Sequence, residues 1–223
     1  GGTFTYVGGA ARNRLAAIDL ATNTLLPWNP NLNGTVNALA YDATNDVIYA
    51  GGSFTTIGAA SRAYLAALPA GPSVASPAAL SWDPKVSGGS VSALAISTDT
   101  LYIGGAFTIV NTSTARNRAA ALPLHPASPT ATTWNPNLNG NASAIALDAT
   151  NGVVYVGGAF TTVNGATGRN RAAAFAAVGT GTATTWDPDV NSTVNAIAVD
   201  PIGGFVYLGG AFTTANTTVG SVT

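Results

Sequence analysis

The tripeptide Trp-x-Pro occurs four times, at Trp28, Trp82, Trp134 and Trp186, at intervals of 54, 52 and 52 residues. A second marker, Gly-Gly-x-Phe-Thr, begins at Gly1, Gly51, Gly104, Gly157 and Gly209. An arginine follows each of its first four copies, at Arg12, Arg62, Arg116 and Arg169. Three markers that keep one period define a tandem repeat, in which each unit buries its apolar face against its neighbours. The repeats run over about 1–50, 51–103, 104–156 and 157–208, with a partial copy at 209–223, and 1–223 reads as a single domain or as part of a larger one.

Each period reads as four short strands, a to d. Strand a is expected at Val36–Tyr41, Val91–Ile96, Ala142–Leu147 and Val194–Val199, and strand b carries the Gly-Gly marker, as in Tyr155–Thr161. Strand c follows the arginine, as in Arg118–Leu122, and strand d ends at the tryptophan. Asn45-Asp46, Asn151-Gly152 and Gly203-Gly204 separate a from b and suit tight hairpin turns that need positive φ. Two-residue alternation places Val36, Ala38 and Ala40, with their counterparts, on one face of strand a, and Leu39, Leu94, Ile145 and Ile197 on the other. Small side chains on the first strand, and paired glycines on the second, suit the crowded axis of a β-propeller. The expected architecture is therefore all-β: a propeller of four-stranded antiparallel blades of about 52 residues, four blade equivalents plus a spare strand. A β-helix is the structural rival, but its coils are shorter and lack a hairpin signal every ten or so residues.

Composition agrees and excludes several functions. The chain has no Glu, Gln or Met and a single lysine, Lys85, so most strong helix formers are missing. Net charge is −1 with 8% charged residues, which leaves no basic field for nucleic acid or anionic lipid. Absence of Cys excludes disulfides, thiolate catalysis and cysteine-ligated metals. No apolar run approaches the ~20 residues of a membrane-spanning helix. The low charge and the abundance of Thr, Asn and Gly point to an extracellular or cell-surface location. The first residues fall in mid-repeat without an initiator Met, which predicts a processed chain or a fragment.

The string Trp-Asn-Pro-Asn-Leu-Asn-Gly (Trp28–Gly34, Trp134–Gly140), then Val-Tyr-Val-Gly-Gly-Ala-Phe-Thr-Thr-Val-Asn-Gly (Val154–Gly165), then Arg-Asn-Arg, resembles the delta-sixty repeat of bacterial and archaeal secreted and cell-surface proteins. The resemblance covers essentially the whole chain in segment order and spacing. It departs from the usual pattern between a and b, where Asn45-Asp46 or Asn151-Gly152 stands in place of Asp-Gly-Lys. It implies a propeller and carries over no catalytic motif.

Candidate sites are few. His125, the one histidine, sits in an irregular Leu-His-Pro stretch with no sequence neighbour to make it a catalytic base, and reads as a surface loop residue. After each tryptophan an alternating oxygen pattern echoes the opening of a calcium loop; only Asp187 and Asp189 supply two carboxylates, and Asx turns explain the pattern more simply. The arginine ladder, extended by Arg14, Arg118 and Arg171 with Tyr64 in the remaining copy, reads as guanidinium groups capping carbonyls or pairing with Asp. Asp42, Asp148 and Asp200 repeat in register at the end of strand a, where turn capping is their expected job. N-glycosylation sequons stand at Asn33, Asn111, Asn141, Asn191 and Asn216, on d–a and b–c connections that should share one face.

No cofactor motif is present. The reading that follows is a non-enzymatic extracellular structural or adhesive module, such as a subunit of a surface layer or filament. Its partners would be other copies of itself, other surface proteins or glycans. A carbohydrate-binding propeller is the alternative, and an enzyme with an axial-channel site ranks third.

Overall fold

A computed structural model describes residues 1–71, 75–125 and 127–216. Among them there is no helix long and apolar enough to cross a membrane. The elements in chain order begin with a two-residue hairpin, β1 (Tyr6–Val7) and β2 (Ala10–Ala11). The first full unit comprises β3 (Val36–Asp42), β4 (Val47–Gly52), the small hairpin β5 (Thr56–Ile57) and β6 (Ala60–Ser61), and β7 (Leu65–Pro69). The second comprises β8 (Val91–Ile96), β9 (Thr100–Gly105), β10 (Ile109–Val110), β11 (Thr114–Ala115) and β12 (Ala119–Pro123). The third comprises β13 (Ala142–Asp148), β14 (Val153–Gly158), β15 (Thr162–Val163), β16 (Thr167–Gly168) and β17 (Ala172–Ala176), and the chain continues into β18 (Val194–Asp200) and β19 (Phe205–Gly210).

The protein is all-β, built from small antiparallel sheets in the order β3-β4-β7, β8-β9-β12, β13-β14-β17 and β18-β19. Strands a and c stand close to where the sequence places them, and the a–b turns have the expected backbone, with φ of 54° at Asp46, 64° at Gly152 and 72° at Gly204. Strand d is different. It reduces to isolated bridges and single bonds such as Phe175↔Ala183 and Leu80 N–H to the Ala67 carbonyl, so each complete sheet has three strands rather than four. The segment is too short to propagate a ladder, and Pro77 and Pro129 remove donors just ahead of it. Strand b also ends sooner than expected. It stops at the second glycine, and the residues beyond Phe-Thr turn into the separate small hairpins, which the repeat pattern did not reveal.

A β-bulge changes the faces of strand a. Val36 pairs with Gly52 while Ala38 pairs with Gly51, leaving Asn37 as the extra residue, and the same shift recurs at Ser92, Ser143 and Asn195. The bulge flips the phase, so Val91 joins Leu94 on the face toward the preceding sheet, not the Ala93–Ala95 face that plain alternation assigns. A Cβ built on Gly51 would lie 2.6 Å from Val91 Cγ1 and 3.6 Å from Leu94 Cδ1, and one on Gly157 would lie 2.5 Å from Val194 Cγ1. The two glycines of the marker thus serve different purposes. The first lets the next sheet close in; a side chain on the second would strike the carbonyl of Thr35, Ser90, Asn141 or Thr193 beside the bulge of its own sheet.

The first strands β3, β8, β13 and β18 lie side by side in that order. Each junction between sheets is sealed by one recurring cluster. Tyr49 packs edge-on against Trp82 at 5.0 Å, Tyr102 against Trp134 at 5.2 Å and Tyr155 against Trp186 at 5.2 Å. Such pairs contribute about 0.5–1.5 kcal/mol beyond the apolar area they bury. The tryptophans complete the seam by donating from Nε1 to the next sheet: Trp28 to the Pro69 carbonyl, Trp82 to Pro123 and Trp134 to Ala176, at 2.8–3.1 Å. Tyr49 and Tyr102 donate their hydroxyls across the same seams, to the carbonyls of Leu124 and Ala177.

Candidate functional site

The repeated polar residues gather on one rim of the sheets, where the d–a and b–c connections meet. Arg12, Arg62, Arg116 and Arg169 each donate to the carbonyl of the residue before them and, at 2.6–2.8 Å, to a carbonyl of the segment preceding the tryptophan: Leu26, Leu80, Thr132 or Thr184. The guanidinium group spans two segments that no strand ladder joins, which is why the d segment holds its place with so few backbone bonds. Arg62 and Arg169 also approach Asp83 and Asp187, each at 3.5 Å. In the other two copies Asn29 and Asn135 occupy the Asp position, and among the described residues their buried Oδ1 atoms have no partner.

The second arginine of each pair sits in a left-handed conformation, with φ of 68° at Arg14, 68° at Arg118 and 66° at Arg171; Tyr64 takes φ of 67° in the remaining copy. Non-glycine residues rarely adopt this region. Here the arginines recover hydrogen bonds there, from Arg14 to the Thr3 carbonyl, Arg118 to Ala106 and Arg171 to Ala159. Between the two arginines, Asn13, Asn117 and Asn170 donate to the side chains of Asn31, Asn137 and Asp189 at 2.6–2.8 Å. In the copy with Tyr64 the intervening residue is Ala63 and the facing residue is Lys85, so both members of the pair change together.

Asp187 and Asp189, the calcium candidates, are engaged in this network. Asp187 Oδ1 accepts the Asp189 N–H at 3.2 Å in an Asx turn, its Oδ2 faces Arg169, and Asp189 Oδ1 holds the Asn170 amide at 2.7 Å. Among the described residues no group of three or more His, Cys, Asp or Glu side chains is placed to hold a metal ion.

The sequon asparagines fall into different classes. Asn33 accepts the N–H groups of Thr55 and Thr56 and donates to Thr55 Oγ1; Asn191 does the same with Thr213 and Thr214. Asn139, which is not a sequon, makes the same three bonds to Thr161 and Thr162. Asn111 is a brace inside its own repeat, donating to the Pro129 carbonyl at 2.6 Å and accepting the Ala131 N–H at 2.7 Å. Asn141 is exposed beside β13, and Asn216 closes the described part of the chain with its N–H bonded to the Pro188 carbonyl.

The opposite rim carries the a–b turns. Asp42 and Asp148 are buried there and cap their turns, Asp42 through Thr44 and Asn45, Asp148 through Asn151; Asp200 caps through Ile202 and Gly203. Burial alone would raise the carboxyls of Asp42 and Asp148, but the amide and N–H donors outweigh it and hold both below the ordinary carboxylate value. Exposed His125 lies near enough to Asp42 for its charge to act in the same direction. The Tyr49 hydroxyl is pushed up to about 12, by burial first and by Asp42 second. On this rim a groove opens between the Ser97–Thr100 turn and residues 177–179, lined by Asp99, Tyr102, Trp134, Leu147 and Val178.

No family model, no curated protein and no solved structure matches the chain.

Proposed function

We propose that the chain is a non-enzymatic structural or adhesive module of the cell exterior, its sheets arranged as blades of a β-propeller of the delta-sixty kind. The observation that carries this reading is how the repeated polar residues are used. The arginine that recurs in every unit, and the asparagines and aspartates around it, are committed to carbonyls, backbone N–H groups and one another, so that among the described residues they brace a scaffold instead of converging on a substrate. Low charge and a threonine- and asparagine-rich rim suit a surface module, and the sequon residues Asn33, Asn141, Asn191 and Asn216 are exposed. Electron microscopy of the native material with intact-mass measurement tests the reading. Ordered assemblies and added hexose mass are expected; monodisperse particles at the bare polypeptide mass would count against it.

The groove beside Val178 and Asp99 favours a second reading, carbohydrate binding on the a–b rim, because it joins an apolar floor to a polar edge. A glycan array separates the two. Saturable binding that Val178→Asp abolishes would move the carbohydrate reading to first place.

A further inference from the structure

The charged side chains are segregated between the two rims. All seven arginines and Lys85 belong to the b–c and d–a connections, together with Asp83, Asp187 and Asp189. Eight cations against three carboxylates give that rim a net charge of +5. Asp42, Asp46, Asp99, Asp148 and Asp200 lie on the a–b turns of the other rim. Asp19 joins them, since it holds the repeat position of Pro69, which pairs with Val47 next to Asp46. With His125 neutral, those six aspartates give −6, and the chain's net charge of −1 is the balance of two opposite fields.

Within each rim the charge is left uncompensated. Among the described residues Arg12, Arg14, Arg116, Arg118 and Arg171 have no carboxylate within ion-pair distance, and no arginine or lysine pairs with an aspartate of the a–b rim. Hydrogen bonds to carbonyls fix the guanidinium groups without neutralising them. Strands of five to seven residues, rising about 3.3 Å per residue, hold the rims roughly 20 Å apart. That is more than twice the ~8 Å over which physiological salt screens a charge. A body approaching along the strands therefore meets one field and not their sum.

We infer that the a–b rim of one copy docks on the arginine rim of a second, so that copies stack face to face and head to tail. This inference rests on the structural reading above. Protein surfaces ordinarily intersperse the two signs, and their separation here needs a partner for each rim. A second copy supplies both at once, because the two fields are opposite in sign and nearly equal in size. Their pitch also agrees. The same sheets carry both rims, so each a–b turn of one copy can stand over one b–c hairpin of the next. An anionic polymer would use the arginine rim alone and leave the segregated acids without a role. An interface between unlike surfaces of identical subunits leaves both outer rims free and grows into an open filament.

The test follows the full chain by light scattering across a dilution series at about 0.05 M and about 0.5 M salt. The mass should rise with concentration at low salt, and the association constant should fall about tenfold or more at high salt. Two triple variants then place charges at exposed positions whose side chains take no part in the hydrogen-bond network. Thr44→Lys, Thr98→Lys and Thr150→Lys weaken the acidic rim; Ser61→Asp, Ala115→Asp and Gly168→Asp weaken the arginine rim. Each variant alone should keep the melting temperature of the parent and associate about tenfold more weakly. Mixed together they retain one intact rim of each kind, and should form dimers that grow no further. A chain that stays monomeric at low salt, or variants that associate as the parent does, would overturn the inference. Dextran sulfate bound by a chain that never self-associates would also overturn it, and would assign the arginine rim to an anionic polymer. Saturable glycan binding by a chain that still stacks would sink the structural reading and leave this interface standing.

Discussion

Gly157 and Gly209 occupy the same position of the same motif, yet substitution by alanine should change stability in opposite directions. A Cβ on Gly157 would lie 2.5 Å from Val194 Cγ1 and 3.0 Å from both Val194 Cβ and Ile197 Cδ1. Val194 is fully buried and β-branched, with its backbone fixed by pairing to Gly210, so neither the rotamer nor the strand has room to give. Overpacking of this kind costs about 1–3 kcal/mol. Nothing approaches a Cβ on Gly209 closer than Ala196 Cβ at 3.8 Å, and its backbone is not left-handed. There alanine only removes freedom from the unfolded chain, a gain of about 0.4–1 kcal/mol. The two variants should therefore differ by roughly 1.5–4 kcal/mol, the sum of these opposed effects. Chemical denaturation at concentrations where the chain is monomeric measures it, with Gly157→Ala lowering the midpoint and Gly209→Ala leaving it unchanged or raised. Equal losses at both positions would refute the assignment of the first glycine to close packing between sheets.

Four further outcomes follow from the same geometry. Tyr102→Phe removes the 2.8 Å bond to the Ala177 carbonyl and should cost about 0.5–1.5 kcal/mol by thermal melting. Asn139→Ala strands the N–H groups of Thr161 and Thr162 and should cost about 1 kcal/mol, whereas Asn139→Asp keeps both acceptors and should cost less than half of that. Asn135→Asp restores at Arg116 the pairing seen for Asp83 with Arg62, and should add up to about 1 kcal/mol at neutral pH; the gain should vanish in acid. For Asp42 and Asp148 the folded carboxyls titrate below the unfolded value of about 4, so their contribution is complete above that pH and is lost as pH falls through the depressed values. Asp42→Asn and Asp148→Asn should flatten the acid limb of the stability curve.

Much of the unit was legible from residues alone, because turn chemistry and the glycine pair act locally. The a–b hairpins appear where Asn45-Asp46, Asn151-Gly152 and Gly203-Gly204 demand positive φ, and the arginines cap carbonyls, with Arg62 and Arg169 also facing Asp, the two uses their recurrence suggested. What stayed hidden depends on tertiary geometry. A bulge at Asn37 or Ser92 leaves no mark in a two-residue pattern, yet it reassigns Val36 and Val91 to the opposite face. Strand d looked like its neighbours in sequence but is held by guanidinium bonds instead of a ladder, and the small hairpins close over left-handed turns at Asn111-Thr112 or Asn164-Gly165 between strands only two residues long, too short to show an alternating pattern. The network around Asp187 was visible only as alternating oxygens; its partners, Arg169 and Asn170, come from the preceding b–c connection, distant in sequence.

The covariation of Ala63 with Lys85 explains why the polar rim is better read as scaffold than as a binding surface. Where Asn13, Asn117 or Asn170 is present, its amide meets an oxygen of Asn31, Asn137 or Asp189. The one unit that loses the amide also loses the oxygen, and Lys85 turns to Asp83 at 2.6 Å. A ring of ligand-binding groups would keep the ligand-facing residue and let its support vary. Loss of both members at once is what mutual satisfaction of two side chains produces, since on this solvent-facing rim either residue alone gains little and only the pair contributes. Ala63→Asn alone should therefore leave stability nearly unchanged, Lys85→Asn alone should lower it slightly by freeing Asp83, and the two together should exceed the sum of the singles by about 0.5–1 kcal/mol in a double-mutant cycle. Strict additivity would show that the two positions do not sense each other, and the rim would lose its claim to be scaffold.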